Sequence, residues 1–122
     1  MQESLCILVR RGPYGTIHAA EAIRHLNGAV ANGIRATAIL FGDGVYMAKD
    51  GQDTEKTEWT SISRALRQAL EGKIENRPQV YVHEQSLQER RLDLSDLVPG
   101  VLAIDDQGIA RLIANSQWVM IY

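Results

Sequence analysis

The chain is poor in the residues that build disulfides and common cofactor motifs. Its 122 residues include one cysteine, Cys6, and neither a CxxC pair nor a cluster of His and Cys. A single cysteine excludes an internal disulfide, and the missing ligand spacing leaves no zinc signature. The spacings GxxxxGK[ST] and GxGxxG are absent as well, so no phosphate or dinucleotide loop is indicated. We therefore expect no metal and no cofactor.

Excess charge of one sign and long apolar runs are absent too. Thirteen basic and fifteen acidic residues leave a formal charge of -2. No sequence-wide basic field exists to hold a nucleic-acid backbone or an anionic membrane. The apolar run at residues 5–9 is shorter than a signal peptide requires and far shorter than the about 20 residues of a spanning helix. We expect a cytoplasmic protein without direct contacts to nucleic acid or membrane.

The chain contains enough apolar residues for one packed core. With 122 residues, 45% of them hydrophobic, residues 1–122 are expected to form a single domain. Apolar runs predict strands, and residues with helical spacing lie between them. The resulting order is βαβαβαβαβ, with the strands at residues 5–9, 35–41, 79–83, 101–104 and 118–122. This alternation predicts an α/β fold: a three-layer α/β/α arrangement with a mostly parallel five-stranded sheet.

Local signals define where the predicted helices begin and end. Asn32 and Gly33 supply a stop after the first helix. Thr60 or Ser61 can cap the second helix, and Asp105 or Asp106 the last one. A short third helix is predicted over residues 86–91. The last helix is expected to present three apolar residues on its inner face: Ile109, Leu112 and Ile113. The polar segment 49–58 has no periodicity and is expected to form an exposed, mobile loop.

Three segments that follow strands are candidates for a binding site. Parallel strands exit at one edge of a sheet, so these segments are expected to converge in one crevice. The candidate binding residues are Tyr14, Gly15, Thr16, Gly42, Asp43, Gly44, His83 and Ser86. A small ligand or anion is one possibility, with His83 as a polar or pH-sensitive contact. Turn geometry is the alternative explanation for the glycines and Asp43. An acid/base enzyme using His83 and Asp43 is also conceivable, although no nucleophile is evident.

Cys6 is the only residue that could act as a sulfur nucleophile. A reactive thiol needs exposure and a positive neighbourhood, whereas Cys6 lies inside the apolar run of the first strand. We therefore interpret Cys6 as an inert core residue. A sulfurtransferase that uses Cys6 is kept as an alternative.

Several short motifs resemble those of the DsrE/DsrF sulfur-relay family, which includes the bacterial TusB, TusC and TusD proteins. They are Pro13-Tyr14-Gly15, Gly42-Asp43-Gly44-Val45, Ser86-Leu87-Gln88-Glu89-Arg90 and Leu97-Val98-Pro99-Gly100. The resemblance covers nearly the whole chain. It implies a small α/β domain that forms homo- or hetero-oligomers. It also implies that active members pass persulfide sulfur between proteins, for tRNA thiolation or oxidative sulfur metabolism.

The resemblance also indicates which branch of the family this chain is similar to. In sulfur-accepting members the carrier cysteine stands at the end of strand three, a few residues before an Arg-Gly pair. Here that place falls at or next to His83, and the pair becomes Arg90-Arg91. An imidazole cannot hold a persulfide sulfur, so the chain looks like the noncatalytic TusC- or DsrF-like branch. The expected role is a nonenzymatic oligomeric subunit, which forms a homo-oligomer or assembles with a sulfur-carrier partner. The last strand, residues 118–122, is expected to be either an interface edge or an ordinary part of the sheet core.

Overall fold

Strands and helices alternate along the chain in the computed structural model, which describes residues 3–52, 54, 57, 61–72 and 77–122. The elements are β1 (Ser4–Val9), α1 (His18–Ala31), β2 (Arg35–Leu40), a 3-10 helix (Gly42–Ala48), α2 (Ile62–Leu70), β3 (Gln79–His83), α3 (Glu84–Glu89), a short 3-10 helix (Leu94–Asp96), β4 (Leu102–Ile104), α4 (Asp106–Ala114) and β5 (Trp118–Ile121). This order agrees with the predicted one.

The strands form one sheet in the order β4-β3-β2-β1-β5. Every neighbouring pair is parallel, which confirms the predicted fold class. The chain steps in one direction from β1 to β4 and then returns across the sheet to β5. Because crossovers between parallel strands are right-handed, the return places α4 on the face opposite to α1 and α2.

The face covered by α1 and α2 contains most of the core. Successive side chains of a strand point to opposite faces, so Ile7 and Val9 of β1 point to this face. They belong to one buried cluster with Leu26 of α1 and Leu66 of α2. The spacing of apolar residues at three and four positions explains why each helix presents one stripe to the sheet.

The opposite face is covered by α4 and has a smaller cluster. Its buried members are Cys6, Leu8, Ile39 and Ile104. The apolar residues of α4 that were predicted to face inwards pack on this cluster, but they are only partly buried: Ile109, Leu112 and Ile113. No residue of α4 is fully buried. The helix therefore lies on the sheet without being enclosed.

Caps hold the first turns of α2 and α4. The Ser61 hydroxyl accepts a hydrogen bond from the Arg64 N–H at 3.3 Å, and the Asp105 carboxylate accepts one from the Gly108 N–H at 2.8 Å. The structure thus selects Ser61 and Asp105 from the predicted candidates, while Thr60 lies outside the described residues. At the other end of α1, Gly33 has the positive φ of +75° that suits a C-terminal glycine.

Two local predictions need correction. Residues 42–44 do not form a simple tight turn, because they open the 3-10 helix that continues to Ala48. The helix after β3 begins at Glu84, two residues before the predicted start, because β3 passes directly into it. The loop predicted over 49–58 lies partly outside the described residues, so its mobility stays a prediction.

Candidate functional site

His83 is the last residue of β3 and the N-cap of α3. Its Nδ1 lies 2.7 Å from the Ser86 Oγ, and its Nε2 lies 2.6 Å from an oxygen of Asp106 at the start of α4. The His83 side chain is only 16% exposed, whereas that of Asp106 is 81% exposed. The imidazole therefore links α3 to α4 across the edge of the sheet.

The partners of His83 select one tautomer of the neutral imidazole. A carboxylate only accepts, so the Nε2–H of His83 donates to Asp106. In the neutral ring Nδ1 then accepts from the Ser86 hydroxyl, whose oxygen in turn accepts from the Gly42 N–H at 2.8 Å. Both ring nitrogens are occupied, and the chain of hydrogen bonds runs from α4 to the end of β2.

This serine, histidine and carboxylate set lacks the exposed nucleophile of a hydrolase. Ser86 is buried at 5% exposure, and its oxygen already accepts from the Gly42 N–H. The acid/base pair considered from the sequence is not formed either, because His83 contacts Asp106 and the Asp43 carboxylate contacts Arg90 instead. These contacts join α3, α4 and the end of β2 in one hydrogen-bond network.

Arg90 ties α3 to the 3-10 helix after β2. Its Nε and Nη2 donate to one oxygen of Asp43 at 3.1 and 3.0 Å, and its Nη1 donates to the Ser86 carbonyl at 3.1 Å. The next residue, Arg91, has a positive φ of 53°. This left-handed conformation favours glycine, which fits the Arg-Gly pair implied by the family resemblance.

The two glycines of the Gly42-Asp43-Gly44 motif are required for different reasons. Gly42 has a positive φ of +55°. Gly44 instead sits against β1, where an added Cβ would lie 2.1 Å from the Val9 carbonyl oxygen. Both glycines permit the positive φ of a tight turn, and only Gly42 has it. The motif brings the end of β2 close to the end of β1.

The first of two cavities near this motif lies beside Tyr14. It has a volume of about 380 Å3 and is lined by Gly12, Pro13, Tyr14, Tyr46, Lys49 and Gln52. The cavity beside His83 has a volume of about 390 Å3 and is lined by His83, Glu84, Gln85, Gln88, Asp105 and Asp106. The structure thus divides the expected single crevice into two cavities.

The predicted site residues are distributed between these cavities and the wall separating them. Tyr14 lines the first cavity and His83 the second. Between them lie Gly42, Asp43, Gly44 and Ser86. The Gly42 N–H donates to Ser86, and Arg90 links Asp43 to the Ser86 carbonyl. Gly15 and Thr16 line neither cavity; the Thr16 hydroxyl accepts from the His18 N–H at 3.4 Å, at the start of α1.

Gln52 organises the first cavity, and no sequence pattern indicated it because it lies in an unpatterned polar segment. Its Oε1 accepts from the Tyr14 hydroxyl and from the Ser63 N–H at 3.3 Å. Its Nε2 donates to the carbonyls of Tyr46 at 2.8 Å and Lys49 at 3.0 Å. Every hydrogen-bonding position of this amide is therefore used inside the protein.

Cys6 is fully buried beneath α4, at 0% exposure. Burial raises the pKa of its thiol, and a side-chain hydrogen bond with Ser116 opposes that shift only in part. A raised pKa leaves less thiolate at neutral pH, and the thiolate is the reactive form. This environment agrees with an inert core cysteine.

The described part of the chain contains neither a metal-binding cluster nor a helix that could span a membrane. Within it, no three His, Cys, Asp or Glu side chains are grouped so that they could hold a metal ion. Among the same residues, no helix has the length and apolar character needed to cross a bilayer.

Apolar side chains are exposed on β5, an edge strand. Trp118 is 46%, Val119 40% and Ile121 64% exposed. β5 pairs with β1 on one side only. By their register with β1, Val119 and Ile121 share the α4 face with Cys6 and Leu8, whereas Trp118 points to the opposite face. Together with the half-buried residues of α4, the side chains on the α4 face form what we call the C-terminal apolar surface: Ile109, Leu112, Ile113, Val119 and Ile121.

Comparison with solved structures shows the same fold in two proteins of low sequence identity. The ychN protein from E. coli superimposes with a TM-score of 0.81 over 100% of both chains at 18% identity. MTH1491 from Methanobacterium thermoautotrophicum, described as a protein of unknown function, gives a TM-score of 0.64 at 11% identity, with 98% of this chain and 99% of that chain covered.

Sequence comparison provides closer relatives. The intracellular sulfur oxidation protein DsrF of Allochromatium vinosum is 36% identical over 91 residues, which is 75% of this chain and 65% of that protein. The alignment thus spans less than two thirds of DsrF. A TusC homolog of Vibrio vulnificus is 30% identical over 112 residues, 92% of each chain. The sequence profile of the DsrE/DsrF-like family matches residues 3–120, and the chain belongs to this family.

Proposed function

We propose that this chain is a noncatalytic subunit of an intracellular sulfur relay, which assembles with a sulfur-carrier partner and supports or regulates it. The names of the relatives support this class of function, because one is an intracellular sulfur oxidation protein and the other a TusC homolog. In this proposal residues 1–122 act as one DsrE/DsrF-like domain in the cytoplasm.

The residue at the end of β3 carries the proposal. By resemblance, this is the place of the acceptor cysteine in the sulfur-carrying members, and here it is occupied by His83. Both ring nitrogens of His83 are hydrogen-bonded, to Ser86 and Asp106. An imidazole forms no persulfide, and the chain's only thiol is buried in the sheet. The alternative of a sulfurtransferase using Cys6 is therefore disfavoured.

The C-terminal apolar surface supports the oligomeric part of the proposal. Scattered exposed apolar residues are ordinary, but a contiguous group on a strand edge and the adjoining helix is typical of protein interfaces. β5 also presents unpaired backbone groups that another chain can cover. We expect this surface to contact the carrier partner or a second copy of this chain.

Co-expression with a DsrE-like protein that has a cysteine at the end of its third strand tests the assembly. We expect the two chains to copurify and to elute together in size-exclusion chromatography with light scattering. Val119→Asp should weaken the assembly, because it places a charge in the apolar surface. Arg111→Met, which removes a positive charge from α4 and places no new charge in the apolar surface, is the control. A solitary assembly that ignores the partner would contradict the proposal.

Sulfur loading tests the noncatalytic part separately. The chain is incubated with a cysteine desulfurase and cysteine, and its mass is measured. We expect no sulfur adduct on the native chain and a gain of one sulfur atom on the His83→Cys variant. In that variant the introduced thiolate attacks the outer sulfur of the desulfurase persulfide and releases the desulfurase thiolate. Cys6→Ala in the same background should retain that gain. Loading of Cys6 in the native chain would overturn the proposal.

Ligand binding at the carboxyl edge of the sheet is the second candidate function. The observation that favours it is the pair of cavities, one beside Tyr14 and one beside His83. A thermal-shift screen with small anions and nucleotides tests it, because a ligand that binds only the folded state raises the unfolding temperature.

A further inference from the structure

We propose that the cavity beside Tyr14 binds a small planar anion, held between aromatic side chains and paired with Lys49. Its volume of about 380 Å3 lies at the small end of the roughly 300–1,000 Å3 that is usual for small-molecule sites. This volume suits one ring system with a charged substituent. The site is independent of the carrier partner in the proposed function.

The walls of the cavity are apolar and aromatic. Pro13 and Tyr14 come from the loop after β1, and Tyr46 comes from the 3-10 helix after β2. Tyr14 is 36% exposed, and Tyr46 is half-buried. An aromatic lining of this kind favours planar ligands through stacking, in addition to the burial of apolar area.

The uncharged polar side chains that line the cavity already form hydrogen bonds within the protein. The Tyr14 hydroxyl accepts from the Ile62 N–H at 3.2 Å and contacts the Gln52 amide. Gln52 uses both its oxygen and its nitrogen on internal partners. A ligand therefore gains little from hydrogen bonds to these groups, and the same bonds hold the Tyr14 ring in place before any ligand arrives.

The charge at the rim is positive. Lys49 is exposed and lines the cavity, and within the described ranges no carboxylate forms an ion pair with it. The neighbouring acids have other partners: Asp50 contacts Arg67 at 2.5 Å, and Asp43 contacts Arg90 at 3.0 Å. The Lys49 ammonium, which also interacts through space with Asp50, is thus a positive charge that a ligand can pair with, and it favours an anion.

Calorimetric titration of the full chain with matched pairs of probes tests the proposal. Each pair joins a planar anion to its neutral counterpart: adenosine monophosphate and adenosine, benzoate and benzamide, flavin mononucleotide and riboflavin. We expect at least one anion to bind more tightly than its neutral counterpart by about two- to fivefold, the size of an exposed ion pair. Added salt should reduce this difference.

Variants place the binding in the cavity. Lys49→Met should bring the affinity for the anion down to that for the neutral probe, while Arg111→Met on α4 should leave both affinities unchanged. Tyr46→Leu should weaken both members of the pair by at least about fivefold, because stacking on the ring is lost. Tyr46→Phe keeps the ring and should retain binding, which separates the loss of stacking from a loss of fold.

Three outcomes would overturn the proposal. They are no binding of any planar anion at millimolar concentration, equal affinity for anions and their neutral counterparts, or binding that is unchanged by both Lys49→Met and Tyr46→Leu. None of these results bears on copurification with a carrier or on sulfur loading, so failure here is distinguishable from failure of the subunit proposal.

Discussion

The two faces of the sheet differ in how completely they are covered. On one face, α1 and α2 enclose a large cluster in which Leu26 and Leu66 are each 1% exposed. On the other face α4 contributes no fully buried residue, although it covers Cys6 and Ile39, which are at 0% exposure. The first face supplies most of the stability of the isolated chain. The second face retains apolar surface that an assembly can cover.

The largest difference between the faces is expected from truncating one leucine on each. Leu26→Ala should lower the free energy of unfolding by about 2–5 kcal/mol, because it leaves a cavity in a closed core. Leu112→Ala on α4 should cost only about 1 kcal/mol, since its side chain is only partly buried. Urea denaturation of the isolated chain measures both. Equal losses would show that α4 is as tightly packed as α1.

The pH dependence of stability should show that Cys6 is enclosed, although it lies on the face that α4 covers incompletely. Burial raises the pKa of this thiol in the folded chain. Above about pH 8.5 the unfolded chain releases its thiol proton first. The free energy of unfolding therefore falls as the pH rises towards the folded pKa, by at most about 1.4 kcal/mol per pH unit. Below that window the thiol is protonated in both states and has no effect.

Cys6→Ala is the control for this titration, because Tyr122 also has a pKa raised mainly by burial. The variant should lose stability less steeply than the native chain between about pH 8.5 and 10. Identical slopes would mean that the Cys6 thiol titrates alike in the folded and unfolded chains.

Removing one cap on each face tests whether α4 opens independently. Asp105→Ala and Ser61→Ala should each cost about 1 kcal/mol, because each leaves a first-turn N–H without its acceptor. Alkylation of Cys6 under native conditions should become about fivefold faster in Asp105→Ala, since α4 covers this thiol. In Ser61→Ala the rate should stay unchanged. Equal acceleration in both variants would indicate that Cys6 is exposed only by global unfolding.

The smallest effects are expected from adding one methyl group to a helix on each face. Gly28 faces solvent on α1, and an added Cβ meets nothing within 4 Å. Gly28→Ala should therefore stabilise the fold by about 0.5–1 kcal/mol. In Gly108→Ala on α4 the new Cβ would lie 2.6 Å from the Ile104 Cγ1, so the same gain should be cancelled or reversed. Thermal unfolding measures both variants. An equal gain in Gly108→Ala would show that α4 can move away from the sheet to accommodate the methyl group.

Local sequence signals were sufficient for most elements and insufficient for the site. The strand at Gln79–His83 was predicted with its observed bounds, because β-branched and apolar residues mark it. His83 and Ser86 are three positions apart, so their contact could be predicted from helix geometry once the start of the helix was known. Asp106 is 23 positions beyond His83, and no periodicity relates the two. Gln52 was missed for the same reason, since its partners include Tyr14 and Ser63.

The sequence by itself determined the alternation of strands and helices, the parallel sheet and the burial of Cys6, because these follow from apolar periodicity and from caps within a few residues. Only the tertiary structure decided that β5 lies beside β1, that α4 lies on a face away from α1 and α2, and that the carboxyl edge holds two cavities. These features depend on where the chain crosses the sheet and on side chains far apart in sequence, which local patterns do not specify.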